Sequence, residues 1–161
     1  MNKIKLLVLD VDGTLTDGKI YMGESGELFK SFSILDGYGI KDMAMPSGIV
    51  TAIITGRLSK IIENRALELG ITNIFQGKSN KLTVLKEIMA EESIKTDEIA
   101  YIGDDLNDEE TMLFVKDGGG ITGAPANAVE KIKKIVNYNC KRKGGDGAVR
   151  EFIEFILDKK F

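Results

Sequence analysis

The sequence has no histidine and one cysteine. Without histidine, Ser-His-Asp hydrolysis, Cys-His proteolysis and histidine-ligated zinc are excluded. With Cys140 alone, no internal disulfide can form, and such usage fits a reducing cytoplasm, the expected location. Long apolar runs are missing too. None approaches the ~18 residues of a membrane span, and Met1-Asn2-Lys3 leads into a strand-like run rather than a secretory signal. Excess positive charge is also absent. Twenty-two Lys and Arg face 25 Asp and Glu, for a net charge of −3, so neither nucleic acid nor an anionic membrane is indicated as a partner. The 161 residues that remain are ordinary globular composition, 43% hydrophobic and 29% charged. They suit one domain over residues 1–161 with a real core, free of repeats, low-complexity tracts and interdomain linkers.

One stretch organises the rest: Leu6-Leu7-Val8-Leu9-Asp10-Val11-Asp12-Gly13-Thr14-Leu15. An apolar run of strand length ends in two carboxylates spaced i, i+2. Alternate residues of an extended chain share a side, so Asp10 and Asp12 can enter one cavity. Gly13 permits the sharp turn that follows. Carboxylates this close must share a proton or recruit a cation, and an all-oxygen acidic site suits magnesium. An Asp-x-Asp-Gly turn can also be plain loop chemistry. A calcium-binding helix-loop-helix fails on register, because Leu15 stands where Gly is required and Tyr21 where Glu is required.

Further along, β-prone arms surround Gly23-Glu24-Ser25-Gly26, predicting a hairpin over about 19–32. Asp36-Gly37-Tyr38-Gly39 leads into a short helix stopped by Pro46-Ser47-Gly48. Ile49 to Ile54 reads as a strand buried on both faces. Ile62, Ala66 and Leu69 mark a helix ended by Gly70. Asn73-Ile74-Phe75 is a strand, and Leu82, Leu85, Ile88 and Met89 share one helix face. Ile99 to Ile102 is a strand, and Met112 and Leu113 lie on a helix. Ile121-Thr122 is a candidate strand, Val129, Ile132 and Val136 mark a helix, and Val149, Phe152, Ile153 and Ile156 mark the last. Alternating strands and helices predict a doubly wound α/β domain, a parallel sheet covered on both faces.

In such a sheet the ligand site lies beyond the carboxyl ends of the strands. There the sequence places Asp10 and Asp12, then Thr55-Gly56-Arg57, then Gln76-Gly77-Lys78-Ser79-Asn80-Lys81, then Gly103-Asp104-Asp105-Leu106-Asn107-Asp108. Each alone has a dull reading as a cap, turn or solvated charge. Together they supply carboxylates, a hydroxyl and cations. Phosphoryl transfer needs such a set, because its catalysis is largely positioning and charge neutralisation.

These four segments, in this order, resemble the signature motifs of haloacid dehalogenase superfamily phosphatases. The resemblance implies that Asp10 is the nucleophile that forms an aspartyl-phosphate, and that Asp12 is general acid and then base. It places magnesium on Asp10, Asp104 and the Asp12 carbonyl, with Asp105 and Asp108 behind them. Thr55, Gly56 and Lys81 would bind the phosphoryl group. The segment between Asp12 and Thr55 is used up by a hairpin and one helix, leaving no room for a cap domain.

Across nearly the whole chain, further segments are similar to the capless 3-deoxy-D-manno-octulosonate 8-phosphate phosphatase family. They are Leu15-Thr-Asp17-Gly18, Phe32 through Asp36-Gly37-Tyr-Gly-Ile, Thr55-Gly56-Arg57, Gln76 through Lys81, Ala124-Pro-Ala-Asn-Ala128 and Gly144-Gly145-Asp146-Gly147. That family implies magnesium-dependent hydrolysis of a small sugar acid phosphate, here the eight-carbon 8-phosphate, in lipopolysaccharide biosynthesis. It also implies a homotetramer whose neighbouring subunits close the site. Arg57, Arg65 and Asp17 are the expected substrate contacts, although Arg65 reads equally well as a solvated helix arginine. Leu35 and Asp146 stand where many members carry Arg, which keeps open a nine-carbon sugar acid 9-phosphate as substrate. A non-catalytic phosphatase-like scaffold is a third reading. A receiver-type signalling domain fits less well, since its phosphorylated Asp follows a middle strand and here the acidic pair follows the first.

Two minor expectations remain. Gly118-Gly119-Gly120-Ile121-Thr122-Gly123 formally fits a dinucleotide fingerprint, but it lacks the leading βα unit and is expected to line the catalytic mouth. Cys140 is expected to be packed structure rather than a nucleophile.

Overall fold

The computed structural model describes residues 3–158. Met1, Asn2 and residues 159–161, part of the expected domain span, lie outside the described residues. Six strands form one parallel sheet in the order β5 (Asn73–Phe75), β4 (Val50–Ile54), β1 (Leu6–Leu9), β6 (Ile99–Ile102), β7 (Ile121–Ala124) and β8 (Tyr138–Asn139). The order reverses at β1. The chain winds outward through β4 and β5, then crosses back to β6 and winds the other way, which opens a crevice at the carboxyl ends of β1 and β6.

Alternation along β1 divides the core. Leu7 and Leu9 pack with Ile53 and with α2 (Lys60–Leu69) and α6 (Ala148–Asp158) on one face; Leu6 and Val8 pack with α3 (Lys81–Glu92), α4 (Glu109–Asp117) and α5 (Glu130–Ile135) on the other. All four β1 residues are fully buried, so the continuous apolar run follows from a strand covered twice. The apolar stripes read from the sequence on α2 and α6 are buried as expected. On α3 the buried positions are Val84, Leu85 and Ile88, with Leu82 and Met89 only half-buried, a shift of the face by part of a turn.

Other differences are local. The helix before Pro46 starts earlier, at α1 (Ile34–Tyr38), because the Ser33 hydroxyl accepts the Leu35 N–H; it continues as a π-turn over Gly39–Ala44 and a 3-10 turn containing Pro46. Val129 and Val136 flank α5 instead of lying within it, and only Ile132 is buried there. Strand β8 is two residues long, too short for a periodic signal; it pairs with the edge of β7 while Tyr138 stacks on Phe155. Gly118 to Gly120 does not line the catalytic mouth. It precedes β7, and in a parallel sheet that is the opposite end from the site. A Cβ on Gly120 would stand 2.6 Å from the Thr96 carbonyl oxygen and 2.7 Å from that of Ile99, so the loop is tight packing.

Between β1 and α1, strands β2 (Tyr21–Gly23) and β3 (Gly26–Phe29) make a separate two-stranded antiparallel sheet around Glu24-Ser25, with Tyr21 stacked on Phe29. Among the described residues no other element stands between Gly13 and α1, and no helix is long and apolar enough to cross a membrane.

Candidate active site

Leu9 is level with Ile53 on β4 and Ile102 on β6, so the residues that follow these strands emerge side by side. They line a pocket of about 400 Å³ formed by Asp10, Asp12, Gly18, Thr55, Gly56, Arg57, Asp104, Asp105, Leu106 and Asn107. Asp10 is buried, anchored through its N–H to the Ile102 carbonyl. Gly13 then turns the chain at φ +86°, and a Cβ there would stand 1.9 Å from Asp104 Oδ2. The glycine is required twice, for its backbone angle and for the approach of β6's carboxylate to β1.

Lys81 comes from the first turn of α3, where the Asn80 side chain caps the helix by accepting the Thr83 N–H. Its ammonium, 1% exposed, donates to Asp10 Oδ1 at 2.6 Å and to Asp108 Oδ1 at 2.7 Å. Asp108 is fully buried with both oxygens engaged, Oδ1 also accepting from the Tyr101 hydroxyl and Oδ2 from the Asp104 N–H. It therefore sits behind Asp10 and Asp104 and orients both Lys81 and the Asp104 loop. Asp105 lies at the rim, where its side chain accepts the Leu106 N–H.

The electrostatics describe a site short of positive charge. Burial, and next the Asp108 carboxylate, push Asp10 well above the ordinary carboxylate range despite Lys81. Burial raises Asp104 to about 6, with repulsion from Asp108 and Asp105 adding to it. Burial opposes the charge on Lys81, but Asp10 and Asp108 outweigh it and hold the ammonium above its usual value. One oxygen each from Asp10, Asp104 and Asp108 lie within 4.8 Å of one another, and among the described residues only Lys81 is in contact as counter-ion. A hard divalent cation fits this hard-oxygen set and would offset its excess of negative charge.

The structure brings Asp10, Asp12, Thr55, Gly56, Arg57, Asp104 and Asp105 together at the pocket, with Lys81 and Asp108 beneath. Two expected substrate contacts stand aside. Arg65 donates to Glu68 Oε2 at 2.9 Å and lies over the Phe32 ring, away from the pocket. Asp17 accepts from the Tyr21 hydroxyl and the Lys19 N–H, tying the hairpin to the loop after β1. Cys140 is buried with its Sγ near the Ala148 carbonyl, and burial pushes the thiol up.

Several contacts of the site carried no sequence signal. Tyr101 looked like strand filler, yet its hydroxyl reaches Asp108. Asn127 donates to the Gly13 carbonyl at 2.9 Å and accepts from the Gly144 N–H at 2.7 Å, joining the C-terminal glycine loop to the turn after β1. Lys30, from the hairpin, donates to Asp12, and Glu27 accepts from the same ammonium. Their distance along the chain hid them.

Comparison with known proteins agrees with this geometry. The pattern of the haloacid dehalogenase-like hydrolases matches residues 48–153. The chain is 45% identical over 154 residues to the 3-deoxy-D-manno-octulosonate 8-phosphate phosphatase of Escherichia coli K12, covering 96% of this chain and 79% of that protein. It superposes on the crystal structure of the Yersinia pestis phosphatase of the same name with a TM-score of 0.90 and 44% identity, covering 97% of this chain and 82% of the other. The Moraxella catarrhalis phosphatase, solved with a magnesium ion, a phosphate ion and a KDO molecule, gives a TM-score of 0.90 at 40% identity, covering 97% and 87%. The chain belongs to the haloacid dehalogenase-like hydrolases and, within them, to the family of the 3-deoxy-D-manno-octulosonate 8-phosphate phosphatases.

Proposed function

We propose that this protein is a magnesium-dependent phosphatase that converts 3-deoxy-D-manno-octulosonate 8-phosphate to the free sugar acid and phosphate. The observation that carries the reading is Asp10, gripped by a buried Lys81, opening on a pocket shared with Asp12, Thr55 and Asp104. The Asp10 and Asp104 carboxylates and the Asp12 carbonyl would hold magnesium, which when bound neutralises charge on the phosphoryl group.

Asp10 attacks phosphorus, and its Oδ–P bond forms as the bond between phosphorus and the sugar oxygen breaks. Asp12 gives its proton to that departing oxygen. Water then attacks the aspartyl-phosphate, Asp12 takes the water's proton, and Asp10 leaves as a carboxylate while phosphate is released. The Thr55 hydroxyl, the Gly56 N–H and the Lys81 ammonium hold the phosphoryl oxygens. Arg57, its side chain 48% exposed at the pocket rim, is placed to meet the sugar acid's carboxylate.

The protein acts as a homotetramer in the cytoplasm. The hairpin leaves Ile20, Met22, Leu28 and Phe29 between 47% and 64% exposed, an apolar surface suited to burial against copies of itself, and the pocket has no cover of its own among the described residues. An active, stable monomer would overturn this assembly.

The test is phosphate release with magnesium from the eight-carbon 8-phosphate, a nine-carbon sugar acid 9-phosphate and an aryl phosphate. Strong preference for the first is expected. Preference for the second would move the enzyme to nine-carbon acids, and no turnover of any with magnesium bound would indicate a scaffold.

A further inference from the structure

Lys30 follows directly on β3, at the base of the hairpin. Its side chain is only 1% exposed, and its ammonium donates to Asp12 Oδ1 at 2.7 Å and to Glu27 Oε2 at 3.0 Å. Glu27 is in turn fixed from the far side, its Oε1 accepting from the Ser59 hydroxyl at 3.2 Å. Lys30 does not line the pocket. Its contacts lead to the pocket directly through Asp12, whose side chain is 27% exposed there, and at one remove through Glu27, whose Oε2 lies 3.9 Å from Arg57 Nη2. Asp12 Oδ2 lies on the opposite side, 3.9 Å from Nε of the pocket-lining Arg57.

Burying an ammonium is costly, and stability alone would be served as well by an apolar side chain of similar shape. What an apolar side chain cannot do is distinguish the two oxygens of Asp12. With Oδ1 engaged by a charged donor, Oδ2 is the oxygen left to carry a transferable proton, and rotation of the carboxyl about its Cβ–Cγ bond is restrained.

We propose that Lys30 is a positioning residue for Asp12, fixing Oδ1 so that Oδ2 delivers the proton to the departing sugar oxygen and later accepts one from water. Lys30 keeps its own protons throughout. The hairpin thereby becomes part of the catalytic apparatus. This inference rests on the reading of Asp12 as general acid.

The experiment compares kcat/KM for two substrates with magnesium saturating. One is 3-deoxy-D-manno-octulosonate 8-phosphate, whose alkoxide leaving group needs a proton; the other is p-nitrophenyl phosphate, whose leaving group does not. Because kcat/KM reports only steps through departure of the alcohol, it isolates this proton transfer. Lys30→Met should lower kcat/KM on the sugar acid phosphate by ~10²-fold, chiefly in kcat, while the aryl ester falls far less. Lys30→Arg should restore most of the loss. Equal losses on both substrates, or no loss, would overturn the inference. Asp12→Asn separates the two levels. A loss in Asp12→Asn confined to the sugar acid phosphate upholds the acid role whatever Lys30→Met does, whereas equal losses there remove both readings. If Lys30→Met does not fold, Lys30→Gln keeps a donor of similar reach toward Asp12 without the charge. That variant should shift the same substrate ratio in the same direction by less, and an unchanged ratio would count against the proposal.

Discussion

Lys81 and Lys30 each bury an ammonium against carboxylates of the same site, yet the elements that carry them differ. Lys81 stands on a twelve-residue helix packed against the central sheet, amid Asp10, Asp108 and Tyr101, all buried. Lys30 hangs from a two-stranded hairpin that touches water with most of its apolar side chains. The floor of the site is held by the core, and its geometry is a by-product of folding. The hairpin wall has no core of its own and relies on side-chain tethers, Lys30 to Asp12 and Glu27 to Ser59 on one side and Asp17 to Tyr21 on the other. Groups whose position the core fixes thus sit on the floor, and those at the rim are held by side-chain contacts alone.

The sharpest way to break this contrast is at Asp10. Asp10→Asn should reduce phosphate release by at least ~10⁴-fold while leaving far-UV circular dichroism and oligomeric state unchanged; substantial remaining turnover would reject Asp10 as nucleophile. Lys81→Met should be damaging twice over, because it strands Asp10 and Asp108 without their cation. Chemical denaturation should show a loss of roughly 3–5 kcal/mol in stability alongside lost activity, and a stable, merely slow variant would mean that the floor is less tightly coupled than its distances suggest.

Gly13→Ala tests the join between β1 and β6. The new methyl would need the space of Asp104 Oδ2 at an angle strained for alanine, so magnesium binding by calorimetry should weaken and stability should drop by about 1–3 kcal/mol.

Asp36 offers a buried carboxylate with no ammonium on it among the described residues. Its Oδ1 accepts the Arg150 N–H at 2.9 Å, within the first turn of α6, and burial raises it to about 6 from 3.8. The fold therefore favours its neutral form, a contribution present in full below pH ~4 and lost as pH rises through about 6. Relative to wild type, Asp36→Asn should gain stability across that window, on the order of 2 kcal/mol by denaturation at each pH, and a flat difference would show that the group stays ionised. The smallest effect on subunit stability belongs to the hairpin. Met22→Glu with Leu28→Glu should dissociate the assembly by light scattering yet change the stability of the subunit by only about 0.5 kcal/mol. Unaltered assembly would place the interface elsewhere.

Most of the floor was legible along the chain because its residues follow strands. An apolar run ending in Asp10-x-Asp12-Gly13, a β-branched run ending in Thr55-Gly56 and a buried run ending in Gly103-Asp104 each announce a strand and what emerges from it. Periodicity likewise exposed the buried faces of α2 and α6. The contacts of Lys30, Glu27, Tyr101 and Asn127 were not legible, since each acts on a partner that no local pattern names. Lys30 is 18 residues from Asp12, and Asn127 is 114 from Gly13. The sequence by itself determined the α/β class and the acidic strand end, because strand period and backbone chemistry are local, while the lysine that meets that end was implied by the family resemblance. Only the tertiary structure decided which oxygen of Asp12 is engaged, that Asp108 holds both Lys81 and the Asp104 N–H, and that Arg57 reaches the pocket while Arg65 does not. Those outcomes depend on how elements distant in the chain are brought to within 2.7–3.9 Å of one another.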